Sequence, residues 1–319
     1  MTAIDIFNGD ADGICALVQM RNAQPKDSLL VTGVKRDIAL VAKAEYRAGD
    51  QVTVLDISLD KNRDGIQVAL EAGAEVLYFD HHFAGEIPDN TRLETHINTT
   101  SDVCTSVLVN EYLDGAFRAW AVVGAFGDNL NKTAEGVAKS LALSESDLTL
   151  LKNLGVYINY NGYGASLADL HFEPAELYKK LVAFADPLDF IAQDKDTFEQ
   201  LENGYLQDMS AAQAIKPQIE TASVAVFTFP DEAWARRVSG VYSNDLVNTY
   251  PDRAHAVLTE RANDTYLVSV RAPLNNKTGA DEICRQFPTG GGRTAAAGIN
   301  ELPADMLDSF VGVFSEFYC

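Results

Sequence analysis

The sequence is poor in basic residues and in cysteine, and it has no long apolar run. Its 25 lysine and arginine residues are outnumbered by 46 aspartate and glutamate residues, which gives a formal net charge of −21. Proteins that coat long nucleic acids carry broad basic faces, so this composition argues against that class. It leaves open a short oligonucleotide held by metal ions and a few arginines.

The four cysteines, Cys15, Cys104, Cys284 and Cys319, are far apart and form no C-x-x-C pair. Their spacing argues against a zinc knuckle or a disulfide framework, and it fits reduced thiols in the cytoplasm. No apolar stretch approaches the ~18 residues of a membrane span, and we expect no signal peptide. We therefore expect a cytoplasmic protein without a membrane partner.

Short β-like and helix-like runs alternate over residues 1–130. Strands are expected at 3–7, 28–34, 52–57, 75–79 and 93–97, and helices at 14–22, 35–47, 62–72 and 102–113. This alternation predicts an α/β fold whose parallel sheet has helices on both faces. We expect an N-terminal domain over 1–200, a helical linker over 201–220 and a smaller C-terminal α/β domain over 221–319.

Polar, metal-capable side chains follow several of the apolar runs, including a run at 121–126. In chain order they are Asp10, Asp12, Asp56, Asp80, His81, His82 and Asp128. Because the carboxyl ends of strands converge on one crevice in an open α/β sheet, we expect these groups to meet. Carboxylate oxygen and imidazole nitrogen suit Mg²⁺ or Mn²⁺. So many ligands suggest two ions, a device for attacking phosphate esters.

The segment that contains Asp10 and Asp12 allows two other interpretations. An EF-hand loop would need a glutamate where Gln19 stands, so we reject it. Asp12 could instead cap a helix that starts at Gly13. The adjacent pair His81-His82, directly after a strand and beside an aspartate, favours metal binding. The other three histidines, His96, His171 and His255, are expected to be ordinary surface or core residues.

These motifs resemble, in order, the four motifs of the DHH phosphoesterases: Asp10-x-Asp12-Gly13, strand-end Asp56, Asp80-His81-His82 and Gly127-Asp128. The family includes RecJ-type exonucleases, nano-RNases and pAp phosphatases, cyclic-dinucleotide phosphodiesterases and family II pyrophosphatases. The C-terminal part resembles the DHHA1 substrate-binding domain through residues 268–271, a helix at 280–287 and a glycine-rich run from 290. The resemblance covers nearly the whole chain.

The resemblance implies two divalent cations, manganese or magnesium. Asp10 would bind the first, Asp56 would bridge both, and the second would be bound by Asp12, His81 and Asp128. A bridging carboxylate holds paired ions about 3.5–4 Å apart.

Further roles follow from the same resemblance. Asp80 would accept an imidazole N–H and fix its tautomer, and His82 would face the substrate. Two positions depart from the family pattern. Asn8, a weaker neutral ligand, stands where many members carry an acid or histidine, and Arg293 replaces the histidine of the glycine-rich signature. Arginine can still grip a phosphate with two hydrogen bonds.

The C-terminal domain is expected to hold the substrate. The predicted substrate-binding residues are Arg271, Gly290, Gly291, Gly292 and Arg293, although an isolated glycine run would be only a flexible turn. Arg236 and Arg237 are expected to be an exposed pair. Thr105 and Ser106 are expected to cap a helix rather than touch phosphate.

The function predicted is hydrolysis of short single-stranded RNA or DNA by a metal-dependent exonuclease. One alternative is a cyclic- or linear-dinucleotide phosphodiesterase or a pAp phosphatase, which would use the same catalytic set. Another is a decayed site kept for nucleotide binding, suggested by Asn8 and Arg293. The polarity of degradation, the preferred ion and the oligomeric state, including a homodimer, are left open.

Overall fold

Five parallel strands form the sheet of the N-terminal part of the chain. They are β1 (Ala3–Phe7), β2 (Ser28–Val31), β3 (Gln51–Leu55), β4 (Glu75–Asp80) and β5 (Leu93–Ile97). Their order in the sheet is β2-β1-β3-β4-β5. The computed structural model describes all 319 residues, and their contacts divide the chain into two units, Met1–Tyr205 and Leu206–Cys319.

Helices cover both faces of this sheet, which confirms the predicted α/β architecture. They are α1 (Ala11–Ala23), α2 (Leu59–Glu71), α3 (Thr105–Tyr112), α4 (Arg118–Gly127), α5 (Asn131–Ala138), α6 (Glu145–Asn161), α7 (Pro174–Leu181), α8 (Pro187–Gln193) and α9 (Lys195–Ala214). Alternate strand residues feed two apolar cores. Phe7 and Phe79 pack with α1, α3 and α4, whereas Ile6 and Val54 pack with α2.

Residues 35–47 do not form the predicted helix. The segment contains one short 3₁₀ turn, Val41–Lys43. Asn62 of α2 accepts a hydrogen bond from the Val41 N–H (3.1 Å) and donates one to the Ile38 carbonyl (2.7 Å). Leu40 and Val41 are fully buried in the core beside α2. Because Asn62 binds two backbone groups of this segment and α2 covers Leu40 and Val41, helical spacing alone did not decide its structure.

Six strands form a second, mixed sheet in the smaller C-terminal unit. They are β6 (Ile219–Glu220), β7 (Val224–Phe229), β8 (Ala254–Arg261), β9 (Thr265–Arg271), β10 (Gly290–Arg293) and β11 (Ala296–Pro303), in the order β10-β11-β9-β8-β7-β6. Only β7 and β8 pair in parallel. Three helices accompany the sheet: α10 (Ala233–Thr249), α11 (Ala280–Cys284) and α12 (Leu307–Tyr318). Phe310 and Phe314 of α12 are buried in this unit's core.

Two expectations for this unit were wrong. The glycine-rich run is not a loop but the edge strand β10, paired antiparallel with β11. Two of its glycines are required: a Cβ on Gly290 would lie 1.8 Å from the Cys284 carbonyl oxygen, and Gly292 has φ +141. Arg237 is not exposed either, because it binds Asp208 through Nε (2.6 Å) and Nη2 (2.9 Å). It lies in α10, a helix that the sequence did not predict.

None of the helices combines the length and the apolar character that a bilayer crossing requires.

Candidate metal centre and active site

The carboxyl ends of three neighbouring strands bring the first three motifs together. Asp10 and Asp12 follow β1, Asp56 follows β3, and Asp80 is the last residue of β4. Since β1, β3 and β4 are adjacent and parallel, the residues after them lie along one edge of the sheet. The segment 121–126 lies in α4 rather than in a strand, and Asp128 is the C-cap residue of that helix. Asp128 thus reaches the same edge from a helix end.

Asp10, not Asp12, is the N-cap residue of α1. Its Oδ1 accepts hydrogen bonds from the Asp12 and Gly13 N–H groups, each 3.1 Å long. The helix therefore starts earlier than the sequence predicted, and Asp12 lies inside it. Gly13 fits here because a Cβ would lie 2.4 Å from the Asn8 carbonyl oxygen.

Asp12 is bound by the N-terminus of α3. The Thr105 and Ser106 N–H groups donate to its two carboxylate oxygens, each at 2.7 Å. A helix N-terminus offers free N–H groups and a favourable potential for a negative charge. The sequence suggested that Thr105 and Ser106 cap α3 with their side chains, but they do not. They hold a carboxylate that belongs to another helix.

Asp56 has the left-handed backbone conformation, with φ 60, directly after β3. Its N–H donates to the Phe79 carbonyl (3.0 Å), and its Oδ1 accepts from the Thr105 hydroxyl (3.2 Å). A non-glycine residue in this region costs of order 1–3 kcal/mol and persists where the surrounding structure fixes it. Such strain is common where a side chain must point in one functional direction.

The His81 ring presents one nitrogen to the carboxylates. Nδ1 lies 3.0 Å from the Val103 carbonyl oxygen, which can only accept, so Nδ1 carries the proton. The other nitrogen, Nε2, lies 3.4 Å from an Asp56 oxygen and 3.9 Å from oxygens of both Asp12 and Asp128. A neutral imidazole oriented by a carbonyl is the usual form of a histidine ligand.

His82 makes a different contact. Its Nδ1 lies 2.7 Å from Asp80 Oδ1, and this hydrogen bond raises the pKa of His82 above its ordinary value. Asp80 is fully buried, and its Oδ2 has no hydrogen-bond partner. With Nδ1 engaged, the His82 ring offers Nε2 to whatever occupies the adjoining pocket. The structure thus pairs His82 with Asp80 and points His81 at the carboxylates.

The carboxylates at this site are largely buried and lie close together, so it is unfavourable for all of them to be ionised. Burial, and next the Asp12 and Asp10 carboxylates, raises the pKa of Asp128 to about 7. Burial and neighbouring carboxylates also raise the pKa of Asp56 well above its ordinary value. A divalent cation would relieve this repulsion. The donor atoms of Asp12, His81 and Asp128 lie within 4.8 Å of one another, and this set of two carboxylates and one imidazole fits such a cation.

Lys35 contacts this centre although no sequence pattern indicated it. Its Nζ lies 2.6 Å from Asp10 Oδ2 and 2.8 Å from Asn159 Oδ1. Burial alone would raise the pKa of Asp10, but the Lys35 ammonium brings it below its ordinary value. Asp10 therefore forms a buried ion pair with Lys35 and does not belong to the cluster of Asp12, His81 and Asp128.

A cavity of about 420 Å³ opens beside the metal-capable groups. Asn8, Asp10, Asp56, His81, His82 and Asp128 all line it. Its remaining lining includes Phe83 and Ile38, which are 73% and 41% exposed. The volume lies in the range of small-molecule sites. An exposed aromatic directly after His82 is a signal that sequence reasoning could have used.

The predicted substrate-binding residues form a group within the C-terminal unit. Ala296 of β11 pairs with Arg293 on one side and with Arg271 on the other. Directly opposed residues share a sheet face, so both arginines project from one face about 10 Å apart. The Arg271 guanidinium donates to Asn244 Oδ1 (2.8 Å) and Ser269 Oγ (3.0 Å). The substrate-binding role of these residues stays a prediction.

Three solved structures are similar to this chain over 99% of its length. The exonuclease RecJ bound to manganese has a TM-score of 0.66, 15% identity and 90% of its chain covered. The DHH domain of a member of a family of ribosomal proteins has a TM-score of 0.66, 14% identity and 86% covered. A pGpG-specific phosphodiesterase from Vibrio cholerae has a TM-score of 0.56, 14% identity and 99% covered. No protein-family model and no curated protein matches the sequence.

Proposed function

Because this chain has the DHH/DHHA1 phosphoesterase fold, we propose that it is a divalent-metal-dependent phosphodiesterase that acts as an exonuclease on short single-stranded oligonucleotides. The observation that carries the proposal is the convergence of Asp12, Asp56, His81 and Asp128 from four separate elements beside one cavity. A bound divalent cation supplies charge neutralisation at the phosphate and lowers the pKa of a water ligand.

His82 is the residue proposed to act on the reacting phosphate. Asp80 binds its Nδ1, and this hydrogen bond raises the pKa of His82 above its ordinary value, which favours the imidazolium over the neutral ring. An imidazolium Nε2–H at the cavity can donate to a phosphate oxygen or to the leaving oxygen. Asp80 acts as a positioning residue, because it fixes the ring without facing the cavity itself.

The substrate class follows from charge and from the cavity wall. A net charge of −21 disfavours extended contact with a polyanion. Phe83 offers an aromatic face on which a nucleobase can stack, independent of base identity. In the C-terminal unit, the arginines Arg271 and Arg293 would bind phosphate groups. These features support a short chain in which one or two nucleotides are gripped.

A linear or cyclic dinucleotide is the second candidate substrate. The observation that favours it is the match with the pGpG-specific phosphodiesterase, in which 99% of each chain is covered. The two chains thus correspond from end to end. The pAp phosphatase alternative would use the same residues and is tested in the same assay.

The test is a screen of metal ions against substrates. The purified chain is assayed with Mn²⁺, Mg²⁺ and Co²⁺ on RNA and DNA 5-mers, pApA, pGpG, cyclic dinucleotides and pAp. We expect stepwise shortening of the 5-mers in Mn²⁺. Cleavage restricted to dinucleotides would support the second candidate, and nucleotide binding without turnover would contradict hydrolysis altogether.

A pair of histidine variants gives the matched control. We expect His81→Ala to abolish turnover, because Nε2 of His81 faces three carboxylates. His96→Ala should retain it, because that ring binds Glu94 and stacks on Phe79, and it contacts none of the three carboxylates. Manganese as the preferred ion, a cytoplasmic location and a homodimer stay predictions.

A further inference from the structure

Lys35 is a fixed positive charge at the edge of the metal centre. Besides Asp10 and Asn159, its ammonium lies 5.6 Å from the centre of the Tyr163 ring. The Lys35 N–H donates to the Gly162 carbonyl (2.8 Å), which ties its backbone to the end of α6. The side chain is 23% exposed and the Asp10 side chain 3%. The charge is therefore anchored from several sides.

Asp10 differs from Asp12 as a ligand for a divalent cation because an ammonium already binds one of its oxygens. Its Oδ1 accepts two N–H groups as the N-cap of α1, and its Oδ2 binds the Lys35 ammonium. Only Oδ2 faces a formal positive charge, since the groups on Oδ1 are neutral N–H donors like those on the two Asp12 oxygens. A second cation at Asp10 would also lie beside the ammonium, and like charges repel strongly in a buried setting.

Asn8 does not compensate for this. It is a neutral amide, 6% exposed, whose Nδ2 donates to the Lys35 carbonyl (3.3 Å). Its Oδ1 is buried without a hydrogen-bond partner. An amide oxygen is a weak ligand that adds no negative charge. The donor set Asn8, Asp10 and Asp56 contains a neutral amide and a carboxylate paired with an ammonium, so it does not fit a tightly bound divalent ion. Asp12, His81 and Asp128 do fit one. The other group of close donor atoms, Asp56, His81 and His82, shares His81 with that set, and its His82 Nδ1 is bound to Asp80.

We infer that Lys35 replaces one of the two cations, so that the chain binds one divalent ion, held by Asp12, His81 and Asp128, and supplies the other positive charge itself. This inference rests on the proposed metal-dependent function. An ammonium has three donors, and two are used by Asp10 and Asn159. The third is free for the substrate, since Lys35 lines the cavity. A phosphate oxygen is the acceptor that suits it.

The test measures Mn²⁺ stoichiometry by native mass spectrometry and by electron paramagnetic resonance of the full chain. For the unmodified protein we expect one ion per chain and the spectrum of an isolated Mn²⁺. The double variant Asn8→Asp/Lys35→Gln exchanges the charges at the first position. We expect it to bind two ions, with signal lost through coupling between them.

Two control variants test whether the number of bound ions depends on the positive charge next to Asp10 or on any positive charge near the cavity. Lys61→Gln removes a positive charge from the same cavity wall, but Lys61 lies near Asp60 on the surface and does not touch Asp10. It should leave one ion per chain. Asn8→Asp/Lys35→Arg keeps the cationic side chain and should also bind one.

Each outcome decides the inference. Two coupled ions in the unmodified protein overturn it but leave metal-dependent hydrolysis standing. No bound ion removes the metal centre and the proposed function with it. A single ion in a double variant whose circular dichroism matches the unmodified protein contradicts the role of Lys35. If that variant does not fold, the stoichiometry of the unmodified protein still decides between one ion and two.

Discussion

Asp128 should make cation binding depend on pH. Without a cation, burial and then the Asp12 and Asp10 carboxylates raise the pKa of Asp128 to about 7. The cation needs the ionised carboxylate, so below this pH binding must displace a proton. The affinity for Mn²⁺ therefore rises with pH and levels off above pH 7.

The size of the effect follows from that pKa. One proton with a pKa of about 7 weakens the apparent affinity about twofold at pH 7, about 10-fold at pH 6 and about 100-fold at pH 5. The limiting slope is about 1.4 kcal/mol of binding free energy per pH unit. Burial also raises the pKa of Asp56, and its proton would add to the slope. Well below pH 7, one released proton per ion is thus the minimum.

Isothermal titration calorimetry with Mn²⁺ measures this directly. Titrations between about pH 5 and pH 8 give the slope, and buffers of different ionisation enthalpy count the protons released. The variant Asp128→Asn should weaken binding and lower the slope by one proton. Asp60→Asn is the control, because Asp60 lines the same cavity outside the candidate ligand group. A dissociation constant independent of pH, or an unchanged slope in Asp128→Asn, would refute the electrostatic argument.

Three further outcomes are expected. His82→Ala should lower kcat by about 10²–10⁴-fold while keeping Mn²⁺ affinity, since its Nδ1 binds Asp80; an equal loss of affinity in calorimetry would show instead that His82 is a ligand. Arg293→Ala should raise KM more than it lowers kcat in steady-state assays. Arg261→Ala should change neither, because Arg261 is the last residue of β8 and pairs with Thr265, at the end of β9 away from Arg271. Arg21→Met should lower the free energy of urea unfolding by about 3–5 kcal/mol, because it leaves the buried Asp5 carboxylate without its arginine partner. The double variant Asp5→Leu/Arg21→Met should lose less of this free energy. Equal losses would mean that the unpaired Asp5 carboxylate is not the cause.

Much of the architecture could be predicted from local patterns. Apolar runs ending on Asp56 and Asp80 marked two strands, and a glycine at 73 with φ +88 ends the helix before β4. Such signals are short-range, since strand and helix preferences depend on neighbouring residues. The same locality explains the errors. Residues 35–47 have helical spacing, but the distant Asn62 binds the Val41 N–H and the Ile38 carbonyl in a non-helical segment.

The sequence alone indicated that Asp10, Asp56 and Asp80 could meet, because the ends of parallel strands meet at one edge of the sheet. It did not indicate that Asp128 comes from the end of a helix. It left open which aspartate caps α1, since Asp10 and Asp12 both meet the chemical requirement for an N-cap. Only the tertiary structure decided that, and only it placed Lys35 on Asp10 and the α3 N-terminus on Asp12. These partners are 25 or more than 90 residues apart in the chain. Their contacts arise from packing between elements, which no periodicity of the sequence records.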